Sequence, residues 1–226
     1  MNKAINIVIT SLALALLATA AMAKSDPPEV SIEGLELVEK DRRGEIYADP
    51  DVDWNQYTQI LLERAPVSFR KNWQRDQNRY DPWKVKNQDV EKIKTGLSDL
   101  FHDVFNEELT ENGGYTMTDS SGDDVMTIKP RIVDLDVYAP DTMRSGMNRS
   151  FTQEAGRMTL ILEIYDSISG DIIAKLSHRQ NAPNYGWMQW TTSVSNNAEA
   201  RRMLQRWATA LRVRLDEARG EAPAES

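Results

Sequence analysis

The most constraining feature of this 226-residue chain is an apolar stripe between Asn87 and the Gly113-Gly114 pair. Val90, Ile93, Leu97, Leu100, Phe101, Val104, Phe105 and Leu109 recur at steps of three and four, which places them on one face of a helix. Asn87 and Asp89 suit its start, and the two glycines suit a left-handed stop. A helix so one-sided must lie on a partner surface, and the flanking sequence offers strands for that purpose.

YTQILLERAPVSF has the length and apolar content of a buried strand that ends or bulges at Pro66. YTMTD is a short strand, SSGDD a turn, and VMTIKPRIVDLDVY a long strand. In the long strand Met126, Ile128 and Ile132 share one parity, whereas Val133, Leu135 and Val137 share the other. A one-residue slip near Pro130 is therefore expected. RMTLILEIYDSISGDIIAKLSHRQ reads as a hairpin, with Met158, Leu160, Leu162 and Ile164 facing inward, Gly170 in the turn, and Ile172, Ala174 and Leu176 returning. A last helix carries Ala200, Leu204, Trp207, Leu211 and Leu215, with Asn196 and Glu199 spaced as a capping box. The expected fold is an α/β (α+β) sandwich, a twisted mixed sheet of about five strands with two main helices on one face. Residues 34–219 form one domain, preceded by an extended segment at 24–33 and followed by a disordered tail at 220–226.

The amino terminus adds an address. Lys3, an apolar run from Ile5 to Ala20 and the small-residue pattern Ala21-Met22-Ala23 form a signal peptide cleaved after Ala23. No later stretch is apolar enough to span a bilayer. The expected location is the periplasm, and the expected product has 203 residues. Cysteine is absent, which excludes a lipidated amino terminus, disulfides, thiol nucleophiles and zinc–thiolate sites. The net charge of -8 becomes -9 once Lys3 is removed. Such a chain is a poor general binder of nucleic acid.

Chemical motifs are scarce. Asp49, Asp51 and Asp53 resemble the opening of a calcium loop, but the turn glycine is missing and Ile60 stands where the closing glutamate belongs. The two histidines, His102 and His178, have no metal-ligand spacing, and no GxSxG, phosphate-loop or dinucleotide fingerprint occurs. No cofactor or metal is expected. Asp134 and Asp136 lie two apart on the long strand, a spacing open to carboxylate acid–base work or to a solvated strand face.

Residues 69–86, FRKNWQRDQNRYDPWKVK, are the compositional exception. Six bases face two acids in an acidic protein, with Phe69, Trp73, Tyr80 and Trp83 interleaved. A connector of this length between a strand and a helix is often functional, and Arg and Trp dominate binding hot spots. Arg70, Trp73, Arg75, Arg79 and Trp83 are the candidate contacts, opposite the reading in which the rings and arginine stems simply cover the first helix. NAPNYGWMQWTTS adds Trp187 and Trp190 as a second patch, and APDTMRSGMNRSFTQEAG supplies a third aromatic loop. With alternating strand directions, the second and third loops share one end of the sheet and the basic stretch lies at the other.

The segments RKNWQRD and PRIVDLDVYAPDT, with the helix DVEKIKTGLSDLFHDVFNEELTENGGY and the strand MTLILEIYDSISGDIIA, resemble a bacterial envelope family of unknown function (domain of unknown function 3313), whose members are mostly described as lipoproteins. The missing lipid-acceptor cysteine departs from that pattern. A looser similarity is to envelope domains of the TolB amino-terminal and CsgG type. The resemblance implies no catalytic residue or cofactor. The resulting expectation is a non-enzymatic periplasmic binding or assembly module of the Gram-negative envelope, meeting an envelope protein or an anionic envelope component through 69–86. The alternative is a cofactor-free periplasmic hydrolase of cell-wall glycan using Asp134 and Asp136.

Overall fold

The computed structural model describes residues 30–31, 33–80, 84–137, 151–152, 156–181, 189–190 and 193–220. The cleavage site, most of the 24–33 segment and nearly all of the 220–226 tail lie outside them. The strands are β1 (Glu36–Lys40), β2 (Gly44–Ala48), β3 (Gln59–Leu62), β4 (Val67–Phe69), β5 (Thr116–Met117), β6 (Val125–Val137), β7 (Phe151–Thr152), β8 (Gly156–Asp166), β9 (Ile172–Asn181) and β10 (Gln189–Trp190). The helices are α1 (Trp73–Tyr80), α2 (Asn87–Glu107) and α3 (Ser193–Ala218).

The α+β class is as expected, but the sheet is larger than the five strands read from the sequence. Eight strands run in the order β1-β2-β9-β8-β6-β3-β5, with β4 also pairing β6. The additions are short and polar: β1 and β2 form a hairpin whose residues are half-buried or exposed, so no apolar alternation announced them. Gly44 lets that hairpin dock. A Cβ at this position would overlap the Ser177 carbonyl oxygen, because Gly44 faces His178 directly across the β2–β9 ladder.

One core joins the helices to the sheet. Leu97, Phe101, Val104 and Phe105 of α2 meet Met126, Ile128 and Ile132 of β6, Met158, Leu160, Leu162 and Ile164 of β8, and Met203, Leu204, Trp207, Leu211 and Leu215 of α3. Phe101 and Phe105, one helical turn apart, stack at 3.9 Å. Full burial of each such side chain stabilises the fold by about 1.5–3 kcal/mol.

Boundaries moved for local reasons. The amide of Lys86, not Asn87, precedes α2 and donates to the Asp89 carboxylate at 2.8 Å, while Asn87 accepts from Gln74. After Glu107 the helix widens by one turn, closed by Gly113 N–H to the Glu108 carbonyl at 3.1 Å, and Gly114 takes the expected left-handed conformation at φ 68°. α3 begins three residues before Asn196, and Glu199 pairs with Arg202 instead of closing a capping box. In β9 the buried apolar positions are Ile173 and Ala174, since the ladder shifts between Ile164 and Tyr165 and upsets the simple alternation.

The slip in β6 exists, but it falls at Val133–Asp136 rather than at Pro130. Asp134 adopts φ 53° and turns outward, which returns Leu135 to the interior. Pro130 pairs in register with Leu162. On its other side the ladder is interrupted between Leu62 and Val67: Glu63 N–H reaches the Ile128 carbonyl, and the next bond runs from Ile132 N–H to the Pro66 carbonyl. Pro130 lies across from this gap, so its missing N–H costs no ladder bond.

His178 joins β9 to α3. Its Nδ1 accepts from the Trp207 indole N–H at 2.9 Å, and the rings meet edge to face. Burial pushes the imidazole below its ordinary range, with a smaller opposing pull from Asp41. The folded state therefore resists protonation, and the unfolded chain binds the extra proton below about pH 6.5. Stability that is complete above that value falls as pH drops below it. His178→Gln keeps an acceptor and removes the titration, so the loss of thermal stability between pH 7 and 5.5 is expected to be smaller in that variant than in the wild type, read by circular dichroism. Gly44→Ala is expected to lower stability by about 2 kcal/mol or more, because the new methyl group meets backbone. Gly96→Ala in α2, where a Cβ meets nothing within 4 Å, is expected to stabilise by about 0.5–1 kcal/mol. Urea titrations of the two alanine variants read both signs.

Candidate functional site

The 69–86 segment contains the eight-residue helix α1, and it lies at the opposite end of the sheet from that expected. β4 runs parallel to β6, with Val67 beside Ile132 and Phe69 beside Leu135. The chain thus leaves β4 at the end where β6 finishes. The 138–155 and 182–192 segments leave from the same end, since Asn181 pairs with Arg157 and Val137 with Gly156. After α2 the strands β6, β8 and β9 alternate in direction as expected, and the parallel pairing of β4 with β6 corrects only the end at which the basic stretch lies. β7 and β10, which belong to those two segments, pair with each other through Phe151 and Trp190.

Trp73 is buried, contrary to its assignment as an outward contact. Only 1% of it is exposed. It stacks on Phe69 at 3.9 Å, packs with Val85, and donates its indole N–H to the Val137 carbonyl at 2.7 Å. Polar side chains finish the inner side of α1. The Asn78 amide pairs with both backbone groups of Val85, at 2.7 and 3.1 Å, and Gln74 bonds the Val85 carbonyl and Asn87.

Arg70 is also committed inward. Its guanidinium bridges Asp76 and Asp136, each at 2.8 Å. Arg157 takes the other oxygen of Asp136, also at 2.8 Å. Asp76 first, then Asp136, hold Arg70 protonated beyond its ordinary range, and Arg70 holds the Asp76 carboxyl below the usual carboxylate range. These groups are about a quarter to a third exposed, so solvent weakens each pair without dissolving the chain of charges.

What faces outward is a cationic surface. Lys71, Arg75, Arg79, Lys84 and Lys86 are exposed. Arg75 touches Asp76 only at 3.5 Å with 66% of its side chain in solvent. Trp83 and Trp187 lie outside the described residues, and Trp190 is placed by its backbone alone. Of the seven candidates, then, the structure brings Arg75 and Arg79 to an open face and takes Trp73 and Arg70 into the fold.

The proposed carboxylate pair does not form. Asp136 is clamped by Arg70 and Arg157, whereas Asp134 sits in the bulge and points to solvent. A general acid or base needs a free carboxyl, and Asp136 has neither oxygen free. Asp49 and Asp53 accept from the amides of Asp51 and Asn55, as turn carboxylates do. Among the described residues no three His, Asp or Glu side chains are grouped to hold a metal ion.

Sequence reasoning missed Arg212. It is buried between α3 and the widened turn after α2, with Glu108 at 2.9 Å and Asp216 at 2.7 Å. The signal was present, because Arg212 and Asp216 are one turn apart on the same face as Leu211 and Leu215.

Comparison with known proteins adds a family. The family model described as "Protein of unknown function (DUF3313)" matches residues 30–211. No curated protein matches. Solved structures of similar shape include the PelC dodecamer from Paraburkholderia phytofirmans, 4% identical with a TM-score of 0.32 over 72% of this chain and 96% of that one. A minor lipoprotein from Acinetobacter baumannii is 13% identical, with a TM-score of 0.35 over 72% and 95%. A PDZ domain protein from Parabacteroides distasonis is 10% identical, with a TM-score of 0.39 over 80% of this chain and 36% of that one. Likenesses this distant carry no functional information.

Arg70→Ser is expected to lower the melting temperature by several degrees, because it removes the cation that Asp76 and Asp136 share. The Lys71→Ser/Arg75→Ser double variant is expected to stay within about 1–2 °C of wild type. Differential scanning calorimetry of both separates structural from surface cations.

Proposed function

We propose, from the fact that this chain belongs to the DUF3313 family, that it is a non-enzymatic binding or assembly module of the bacterial cell envelope. It works in the periplasm of a Gram-negative cell, and it docks through the basic end of its sheet. One observation carries the reading: an exposed cationic face stands on a helix whose inner side is fixed by an indole, two amides and an ion bridge. Rigid presentation lowers the ordering cost of binding. In a chain of net charge -8, cations concentrated on one end attract an anionic partner there and orient the encounter. β9 ends at that same end, at Asn181, where the segment bearing Trp187 and Trp190 begins.

A photo-crosslinking residue placed at Arg75 in living cells is expected to capture an envelope component, with capture weakened at least tenfold when Lys71 is reversed to Glu. The same residue at Lys92, exposed on α2, is expected to capture nothing comparable. Equal adducts from both positions, or none from Arg75, would contradict the proposal.

A further inference from the structure

Resting on the basic end as a docking surface, we propose that its occupant is the opposite end of a second copy of this chain, so that copies join head to tail. The two ends are polarised. At the end where β6 begins, three connections meet: residues 49–58, 118–124 and 166–171. Hydrogen bonds tie them together, from the Tyr57 hydroxyl to Asp166 at 3.0 Å, from Thr58 N–H to the Asp124 carbonyl at 3.0 Å, and from Gly122 N–H to the Ser167 hydroxyl at 3.0 Å. They hold eight aspartates and no lysine or arginine. Some shape turns, but Asp51, Asp119, Asp123 and Asp171 are exposed at this end.

At the other end stand Lys71, Arg75 and their neighbours, beside the last residues of β6. The 13 residues of β6 separate the two ends by about 40 Å. That exceeds a screening length of about 8 Å at physiological salt several times over, so neither end neutralises the other within one molecule. Pairing like ends repels. Only a heterologous contact sets the cations of one copy against the carboxylates of the next, and repetition of that contact yields a closed ring or a filament. A second copy is also the one partner whose complementary surface is visible in the structure.

Sedimentation velocity of the protein as the cell matures it tests this. Oligomers are expected at about 20 mM NaCl, with affinity at least tenfold weaker at about 500 mM. Lys71→Glu/Arg75→Glu and Asp51→Lys/Asp123→Lys are each expected to be monomeric alone. Mixed, they are expected to associate, because every end of one variant then meets opposite charge on the other. Should either reversal fail to fold, Lys71→Gln/Arg75→Gln and Asp51→Asn/Asp123→Asn serve in its place. A wild type that stays monomeric at low salt, association that survives either variant, or a mixture that does not pair would overturn the inference. A monomer that binds phosphatidylglycerol vesicles through Arg75 overturns it while leaving the docking surface intact, whereas a monomer with no Arg75-dependent binding to such vesicles and no Arg75 crosslink removes both.

Discussion

The hydrogen bond from the Trp73 indole to the Val137 carbonyl fixes the part of this fold that carries the proposed docking face. It depends on two features of β6. The bulge at Val133–Asp136 rotates the strand, so that the Leu135 carbonyl accepts from Arg70 N–H and the Val137 carbonyl from Trp73. The parallel pairing with β4 delivers the chain to that point. Once the indole is seated, α1 has one orientation, and its remaining cations have nowhere to go but outward. Burying an indole with its N–H satisfied combines a large apolar area with a polar anchor, and it is a stronger constraint than the short helix could supply alone.

This arrangement explains how an acidic protein carries a basic aromatic stretch. The aromatic and basic residues have divided the work. Phe69 and Trp73 close a small core under α1 with Val85, and Arg70 neutralises Asp76 and Asp136 at its rim. Lys71 and Arg75 are left for solvent or a partner. The packing reading is realised on the inner side of the helix, and the proposed docking face is its outer side.

The legible parts of the fold were those with apolar periodicity. The α2 stripe, the inward set of β8 and the α3 stripe are where the sequence pattern places them. α1 was invisible because its inner side is one tryptophan flanked by Gln74, Gln77 and Asn78, and amides that pair with backbone leave no apolar repeat. The direction of β4 was invisible for a different reason: parallel and antiparallel strands of this length share one side-chain pattern, and the hydrogen-bond ladder alone distinguishes them. That single ambiguity moved the basic stretch to the wrong end. The Asp134–Asp136 pair failed because a two-residue spacing implies a shared face only along an unbroken strand, and the bulge breaks it. Arg212 escaped notice because a charged residue inside an apolar stripe reads as surface until its partners Glu108 and Asp216 are in place.

The account stands on the claim that residues 73–80 are a rigid part of the body rather than a loose arm that happens to be basic. Native-state hydrogen exchange measures this directly. Amides within α1, such as those of Asp76 and Gln77, are predicted to exchange only through openings close in free energy to those that release β6, and Trp73→Phe, which removes the indole N–H but keeps a ring, is predicted to lower their protection selectively. Exchange of those amides at rates typical of an unstructured chain, with β6 still protected, would contradict it.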